Sequence, residues 1–241
     1  MKKRIYWVLM PFLVLLLANS CVKETSKVSH AIDSNVLTAE QQAKLTPQQV
    51  LESLKSGNHE YTEGRLTIRN TSKRIQQAIK GQYPEAVILS CLDSRVPVED
   101  IFHRGIGDLF VARVAGNIVN DDILGSLEYA CKVSGSKLIV VLGHEYCGAI
   151  KSAISDVKLG NITTLLEKIQ PAVINAGKDF SGEKSASNPE FVEEVCNHNI
   201  QLSLDNIRQR SPILKEMEEK GEIIIVGAIY DMESGKVDFM N

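Results

Sequence analysis

The sequence predicts an α/β protein, built as a mostly parallel central β-sheet flanked by helices. Three observations lead there. Continuous apolar runs at 86–89 and 138–142, and the Ile-rich stretch within 222–230, are bounded by turn-forming or polar residues, which is how strands buried on both faces of a parallel sheet read. Segments with helical periodicity stand between them, so strand, helix, strand and helix follow one another. Two clusters of Cys, His, Asp and Arg begin where the first two runs stop, at strand ends, where open α/β sheets build their sites.

The elements follow in chain order. Lys2, Lys3 and Arg4 precede an apolar run over 5–18 and then small and polar residues up to Cys21, the layout of a signal peptide over 1–20; the run is too short for an ordinary transmembrane helix. Ala18-Asn19-Ser20-Cys21 is similar to a bacterial lipobox, which makes Cys21 the lipidated first residue of an exported protein; plain cleavage with Cys21 as a bystander is the alternative. Val22 after that Cys, rather than Asp, points to a periplasmic protein anchored to the outer membrane, with the lipid as its only membrane attachment. Residues 21–44 are polar without a clear period and read as a flexible tether, leaving 45–241 as the folded domain.

Thr46-Pro47-Gln48-Gln49 is a capping box with Pro at the first helical position, and Gly57 fits the stop of a short helix after Val50, Leu51 and Leu54. A second helix is predicted over 65–80, with Ile68, Ile75 and Ile79 as its apolar points, ended by Gly81 and the Tyr83-Pro84 turn. After the strand at 86–89 comes a short strand over 108–113, with Gly105 and Gly107 before it and Ala115-Gly116-Asn117 after. Asp121-Asp122 opens a helix through Ile123, Leu127, Ala130 and Cys131, ended near Gly135. Cys147-Gly148-Ala149-Ile150 leads into another helix, whose dipole favours the thiolate form of Cys147. Residues 162–176 are helical, 177–189 form a charged, Ser-rich loop, and 190–210 form a long amphipathic helix. Ser234-Gly235 turns the strand at 222–230 into a last short strand over 236–240. No internal repeat or second domain is visible. At 241 residues, 44% hydrophobic and 24% charged, the chain suits one domain with a sizeable core, and a net charge of −3 gives no nucleic-acid footprint.

The chemistry lies in Ser90-Cys91-Leu92-Asp93-Ser94-Arg95 and Gly143-His144-Glu145-Tyr146-Cys147-Gly148. Two thiols and an imidazole make a zinc set, and three protein ligands rather than four leave a position open, as catalytic sites do. Asp93 is placed to act as acid or base there, and Arg95 to grip its carboxylate in two places and keep it ionised. Two other readings of these residues are a core histidine with buried thiols, and a disulfide between Cys91 and Cys147 in an oxidising compartment. The first leaves the Asp-Arg pair without a packing explanation. Cys131 and Cys196 read as buried inert thiols or as a disulfide, and His59, His103 and His198 as surface or packing residues, with a proton relay by His59 or His103 as the alternative; His30 lies in the tether.

A Cys-X-Asp-X-Arg segment followed by His-X-X-Cys resembles the β-class carbonic anhydrases, from about Leu45 to the C-terminal end. The resemblance implies Zn2+ on Cys91, His144 and Cys147, and reversible hydration of CO2 to bicarbonate and a proton by a zinc-bound hydroxide, assisted by Asp93 and Arg95. It also implies a closed state at lower pH in which Asp93 becomes the fourth ligand. By the same resemblance Gln82 donates to the substrate, Phe110 and Tyr129 form an aromatic wall, and Ala115 sits where a branched residue is more usual. It further implies N-terminal helices that pack on a partner subunit, and a homodimer or larger assembly with the pocket at its interface. Family members regulated by bicarbonate use a Trp near those helices, whereas the single Trp here is Trp7, inside the signal. Two rivals share the zinc site: hydrolysis of carbonyl sulfide or carbon disulfide, and a non-catalytic zinc- or redox-sensing lipoprotein.

Overall fold

A computed structural model describes residues 35–65 and 70–240. The signal segment, Cys21, Trp7, His30, Ile68 and most of the tether lie outside the described residues. The sheet has five strands in the order β2-β1-β3-β4-β5: β1 is Ala86–Ser90, β2 Leu109–Arg113, β3 Leu138–His144, β4 Ile224–Tyr230 and β5 Val237–Phe239. All neighbours are parallel except the β4–β5 pair, so the predicted architecture is the observed one. Every residue of β1 and β3 is buried, as expected of strands covered on both faces.

Successive side chains of a strand point to opposite faces, and the core divides accordingly. Val87, Leu89, Ile139 and Val141 face one layer, packing with Leu124 and Leu127 of α5 (Asp121–Glu128), Ile200, Leu204 and Ile207 of α9 (Pro189–Arg210), and Leu214 and Met217 of α10 (Pro212–Glu219). Ile88, Leu138, Val140 and Leu142 face the other, with Val50, Leu51 and Leu54 of α2 (Pro47–Thr62) and Val98 and Ile101 of α4 (Val98–Ile101). A third cluster joins Cys91 and Cys147 to Ile150 of α6 (Gly148–Ile154), Leu166 of α7 (Gly160–Glu167), Ile169, and Ala172 and Ala176 of α8 (Gln170–Asp179). The helices around this third cluster wall the strand ends from one side.

Several local expectations are corrected. The segment expected as tether already contains α1 (Ala39–Lys44), begun by a capping box between Thr38 and Gln41. Its Gln42 is buried and donates to Pro84 O and Ser134 O, both at 2.8 Å, so α1 is tied to the amino-terminal side of the sheet. The capping box at Thr46 is present, but Gly57 does not stop α2, which continues to Thr62. A Cβ at Gly57 would lie 2.1 Å from Phe102 O: the glycine serves close packing of α2 against the loop after α4, not helix termination.

Among the described residues the second helix is α3 (Thr71–Ala78), and its buried side chain is Arg74, ion-paired with Asp108 and donating to Ile106 O at 2.9 Å; Ile75 and Ile79 face outward. A buried guanidinium with an ionic partner and carbonyl acceptors overrides hydrophobic periodicity. The stretch 162–176 is two helices, α7 and α8, with Pro171 in the first turn of the second. Residues 129–133 close α5 with a wider, π-type turn. α10 was not anticipated, although Ser211-Pro212 carries the start signal, the Ser211 hydroxyl accepting from Leu214 N.

Gly57→Ala tests the packing account. Alanine favours helix by about 1 kcal/mol, yet the clash is with backbone, so a net loss of about 1–3 kcal/mol in chemical denaturation is expected; a stabilised variant would show that the contact relaxes freely.

Candidate functional site

The site is built by register. Ser90, the last residue of β1, lies beside Leu142 of β3, so Cys91 just past β1 stands next to His144 at the end of β3. Cys147 follows as the N-cap of α6. The ligand atoms of Cys91, His144 and Cys147 lie within 4.8 Å of one another, and all three residues are buried. The two Sγ atoms are 3.9 Å apart, too far for a disulfide, and both thiols are free. An ion with metal–sulfur bonds of about 2.3 Å in a tetrahedral shell holds two thiolates about 3.8 Å apart, so the spacing fits. The imidazole fits as well. His144 Nδ1 is 2.8 Å from Glu145 O and donates to it, leaving Nε2 as the lone-pair nitrogen; Nε2 is buried and has no hydrogen-bond partner among the described residues.

The sulfur charges are arranged by neighbours. With no metal, the Cys147 thiol donating to Cys91 pulls the Cys91 pKa down, against the cost of burial, and Gly116 N at 3.3 Å adds a further donor. Cys147 is pushed up by the same bond and by burial; the Ile150 N–H at the start of α6 opposes this without winning. The helix terminus expected to favour a Cys147 thiolate is therefore outweighed by the adjacent sulfur. Gly116 has φ +71, and a Cβ there would meet Ile169 Cδ1 at 2.7 Å, so this residue type lets the backbone N–H reach the sulfur.

Asp93 and Arg95 interlock as expected: Oδ1 accepts from Arg95 N and Nε, both at 2.9 Å, and Oδ2 from Nη2 at 2.7 Å. The fork of Arg95 holds the Asp93 carboxyl at about 2, well below the usual carboxylate range. Asp93 Oδ2 is 3.9 Å from His144 Nε2, so the carboxylate stands beside the Cys-His-Cys cluster.

The remaining expectations separate. Ala115 opens the turn Ala115–Asn117 that carries Gly116. Gln82 is exposed and precedes β1, whereas Cys91 follows it, so the length of a five-residue strand, about 17 Å, lies between them. Phe110 sits beside Val87, well before the carboxyl end of the sheet, and shares an open hollow with Gly125, Ser126 and Tyr129. Within one chain Gln82, Phe110 and Tyr129 do not meet the Cys-His-Cys cluster. Cys131 and Cys196 are free and buried, both pushed up to about 12 by that burial, so they are inert thiols. His59 and His198 lie on helices α2 and α9, and His103 is buried beside Glu60. Sequence reasoning missed Arg113, whose guanidinium donates to Cys91 O, Asp93 O and Val96 O at 3.0, 2.6 and 3.0 Å. A signal existed: Arg113 is a charged residue at the carboxyl end of a predicted strand.

The profile of the carbonic anhydrase family matches residues 86–237. Carbonic anhydrase 2 of Mycobacterium tuberculosis is 33% identical over 190 residues, covering 76% of this chain and 88% of its own. The carbonic anhydrase of Pseudomonas aeruginosa is 32% identical over 166 residues, 66% and 74% of the two chains. Among solved structures, the β-carbonic anhydrase CcaA superposes with a TM-score of 0.62 at 26% identity, covering 80% of this chain and 90% of that one. The tetrameric β-carbonic anhydrases of Sordaria macrospora share the fold, with a TM-score of 0.64 at 23% identity over 80% and 96% of the chains.

His144→Ala and Cys147→Ser each remove a candidate ligand atom while leaving the β1–β3 ladder. Both proteins should fold by circular dichroism and lose bound metal by elemental analysis; full retention by either would remove that residue from the coordination shell. Because the ligands must be deprotonated to bind, affinity in the wild type should fall as pH falls.

Proposed function

Because the chain belongs to the β-class carbonic anhydrase family, and is a carbonic anhydrase that hydrates CO2, we propose that the reaction centres on Zn2+ held by Cys91, His144 and Cys147, with Asp93 and Arg95 assisting. The observation that carries this reading is the buried, hydrogen-bond-free His144 Nε2 facing two sulfurs 3.9 Å apart, with the Asp93 carboxylate beside it. Zinc in such a site supplies Lewis acidity, which makes water acidic enough to furnish a nucleophile for CO2. Two thiolates and a neutral imidazole cancel the +2 charge, so this donor set makes a weaker Lewis acid than three neutral imidazoles, and the protein groups must contribute more.

Asp93 is suited to that contribution. A carboxyl at about 2 is deprotonated at pH 7 by roughly five powers of ten. Oδ2 therefore accepts a hydrogen bond from the attacking water, aligns it and passes its proton on without storing it. Arg95 holds the carboxylate in that orientation. Its own side chain is 55% exposed against 15% for Asp93, so the pair can open toward solvent. When it opens, Asp93 is the nearest carboxylate to become a fourth ligand, the closed state expected at lower pH.

The substrate pocket is proposed to include Gln82, Phe110, Ala115 and Tyr129, completed by a second copy of the chain in a homodimer or larger assembly. The separation of three of these residues from the metal ligands within one chain supports it, as do the open hollow beside edge strand β2 and the outward-facing Ile75 and Ile79 of α3. Residues 1–20 are proposed as a lipoprotein signal and Cys21 as the lipidated residue, anchoring the enzyme to the outer membrane on the periplasmic side. The support is the basic, apolar and small-residue succession of that segment.

Stopped-flow CO2 hydration across pH, on zinc-loaded protein beginning after Cys21, tests the reading. Asp93→Asn should lower kcat/KM by about 100-fold or more at neutral pH with zinc retained. Wild-type activity should rise with pH. A profile flat down to mildly acidic pH would sink the closed state, and equal activity in Asp93→Asn would remove the carboxylate from the mechanism.

A further inference from the structure

We propose that Arg113 is a positioning residue for the reaction, a clamp that transmits the rigidity of the sheet to the loop bearing Asp93. The inference rests on the reading that Asp93 acts in hydration. Residues 91–96 form the loop: Cys91 and Val96 are buried at its two ends, while Leu92, Ser94 and Arg95 between them are exposed. Such a segment has little packing of its own at its centre, yet it must present a carboxylate at a fixed place. The Asp93–Arg95 ion pair cannot supply that fixity, because both partners ride on the same loop.

Arg113 does supply it from outside. It ends β2 directly opposite Ser90, the last residue of β1, and the ladder continues one step further through Val114 N to Ser90 O at 3.1 Å. Its backbone is therefore held by the sheet. From there Nε donates to Cys91 O at 3.0 Å, and Nη2 donates to Asp93 O at 2.6 Å and Val96 O at 3.0 Å. The loop curls its start, middle and end carbonyls around one guanidinium. The shortest of the three bonds holds the backbone of Asp93 itself. The loop's own cross-bond, Val96 N to Asp93 O, is longer at 3.3 Å. A planar fork reaches several acceptors in fixed directions, whereas a Lys ammonium at the end of a flexible stem is a single point of charge. The metal ligands depend less on this clamp: His144 and Cys147 come from β3 and α6, and Cys91 directly follows β1.

The test is a double-mutant cycle on the zinc enzyme with Arg113→Met, Arg113→Lys, Asp93→Asn and Arg113→Met/Asp93→Asn, read by stopped-flow kcat/KM, metal content and the visible spectrum of the cobalt(II)-substituted proteins. Arg113→Met should retain metal, lose about 10–100-fold in kcat/KM as supporting contacts at metal sites do, and alter the cobalt bands. In the Asp93→Asn background it should cost little more, because a clamp on an absent carboxylate has nothing left to position. Arg113→Lys, which keeps the charge and the long stem, should recover only part of the loss. Additive losses in the double variant would reduce Arg113 to general structural support and overturn the proposal, as would wild-type activity in Arg113→Met or full recovery by lysine. Wild-type activity in Asp93→Asn would instead overturn the premise that Asp93 acts, and the inference with it.

Discussion

The parallel pairing of β1 with β3 is the constraint on which everything else here depends. Parallel pairing places the carboxyl ends of the two strands side by side, which brings Cys91 and His144 together although 53 positions separate them in the chain. Both strands are buried on both faces, so a slip of one residue would carry apolar side chains into the wrong layer and is strongly disfavoured. The metal ligands thus inherit their precision from the hydrophobic register of the sheet. Cys147 inherits its place from the tight turn that starts α6.

Around that frame the site separates rigid from movable parts. Cys91 and Cys147 are buried in one apolar cluster with Ile118, Ile150, Leu166 and Ile169. The dyad sits at the edge, with Arg95 largely in solvent and Asp93 partly covered. A charge pair half in water is weaker than the same pair buried, which would suit the two positions proposed for Asp93. Arg113 and the Gly116 N–H approach from the β2 side, one holding carbonyls and the other a thiolate. Neither belongs to the proposed ligand set, and both contact groups beside it.

The assembly of more than one copy proposed above would also make use of exposed surfaces of the fold. β2 is an edge strand whose residues are only partly covered, and the aromatic residues of the proposed pocket line a hollow beside it, away from the ligands of the same chain. Exposed edges and apolar side chains such as Ile75, Ile79 and Tyr129 are a liability for a solitary protein and ordinary for a subunit.

The α/β class, the strand order of appearance and the donor set were legible from sequence because they rest on local quantities: apolar period, turn residues and the chemistry of Cys, His, Asp and Arg at strand ends. Even the Asp93–Arg95 grip is local, two positions along one loop. Where the reading failed, the deciding contact spanned the chain. Gly57 reads as a helix stop along the chain but packs against Phe102 O, and the helix expected to turn Ile75 and Ile79 inward instead buries Arg74 against Asp108 and Ile106 O. The helix-dipole argument for Cys147 failed for the same reason, since the neighbouring sulfur belongs to a residue 56 positions away. What the sequence by itself determined is which atoms are present to bind a metal and move a proton. Only the tertiary structure decided which groups hold those atoms still, because a carbonyl clamp or a close backbone approach is set by distances between segments that no spacing along the chain encodes.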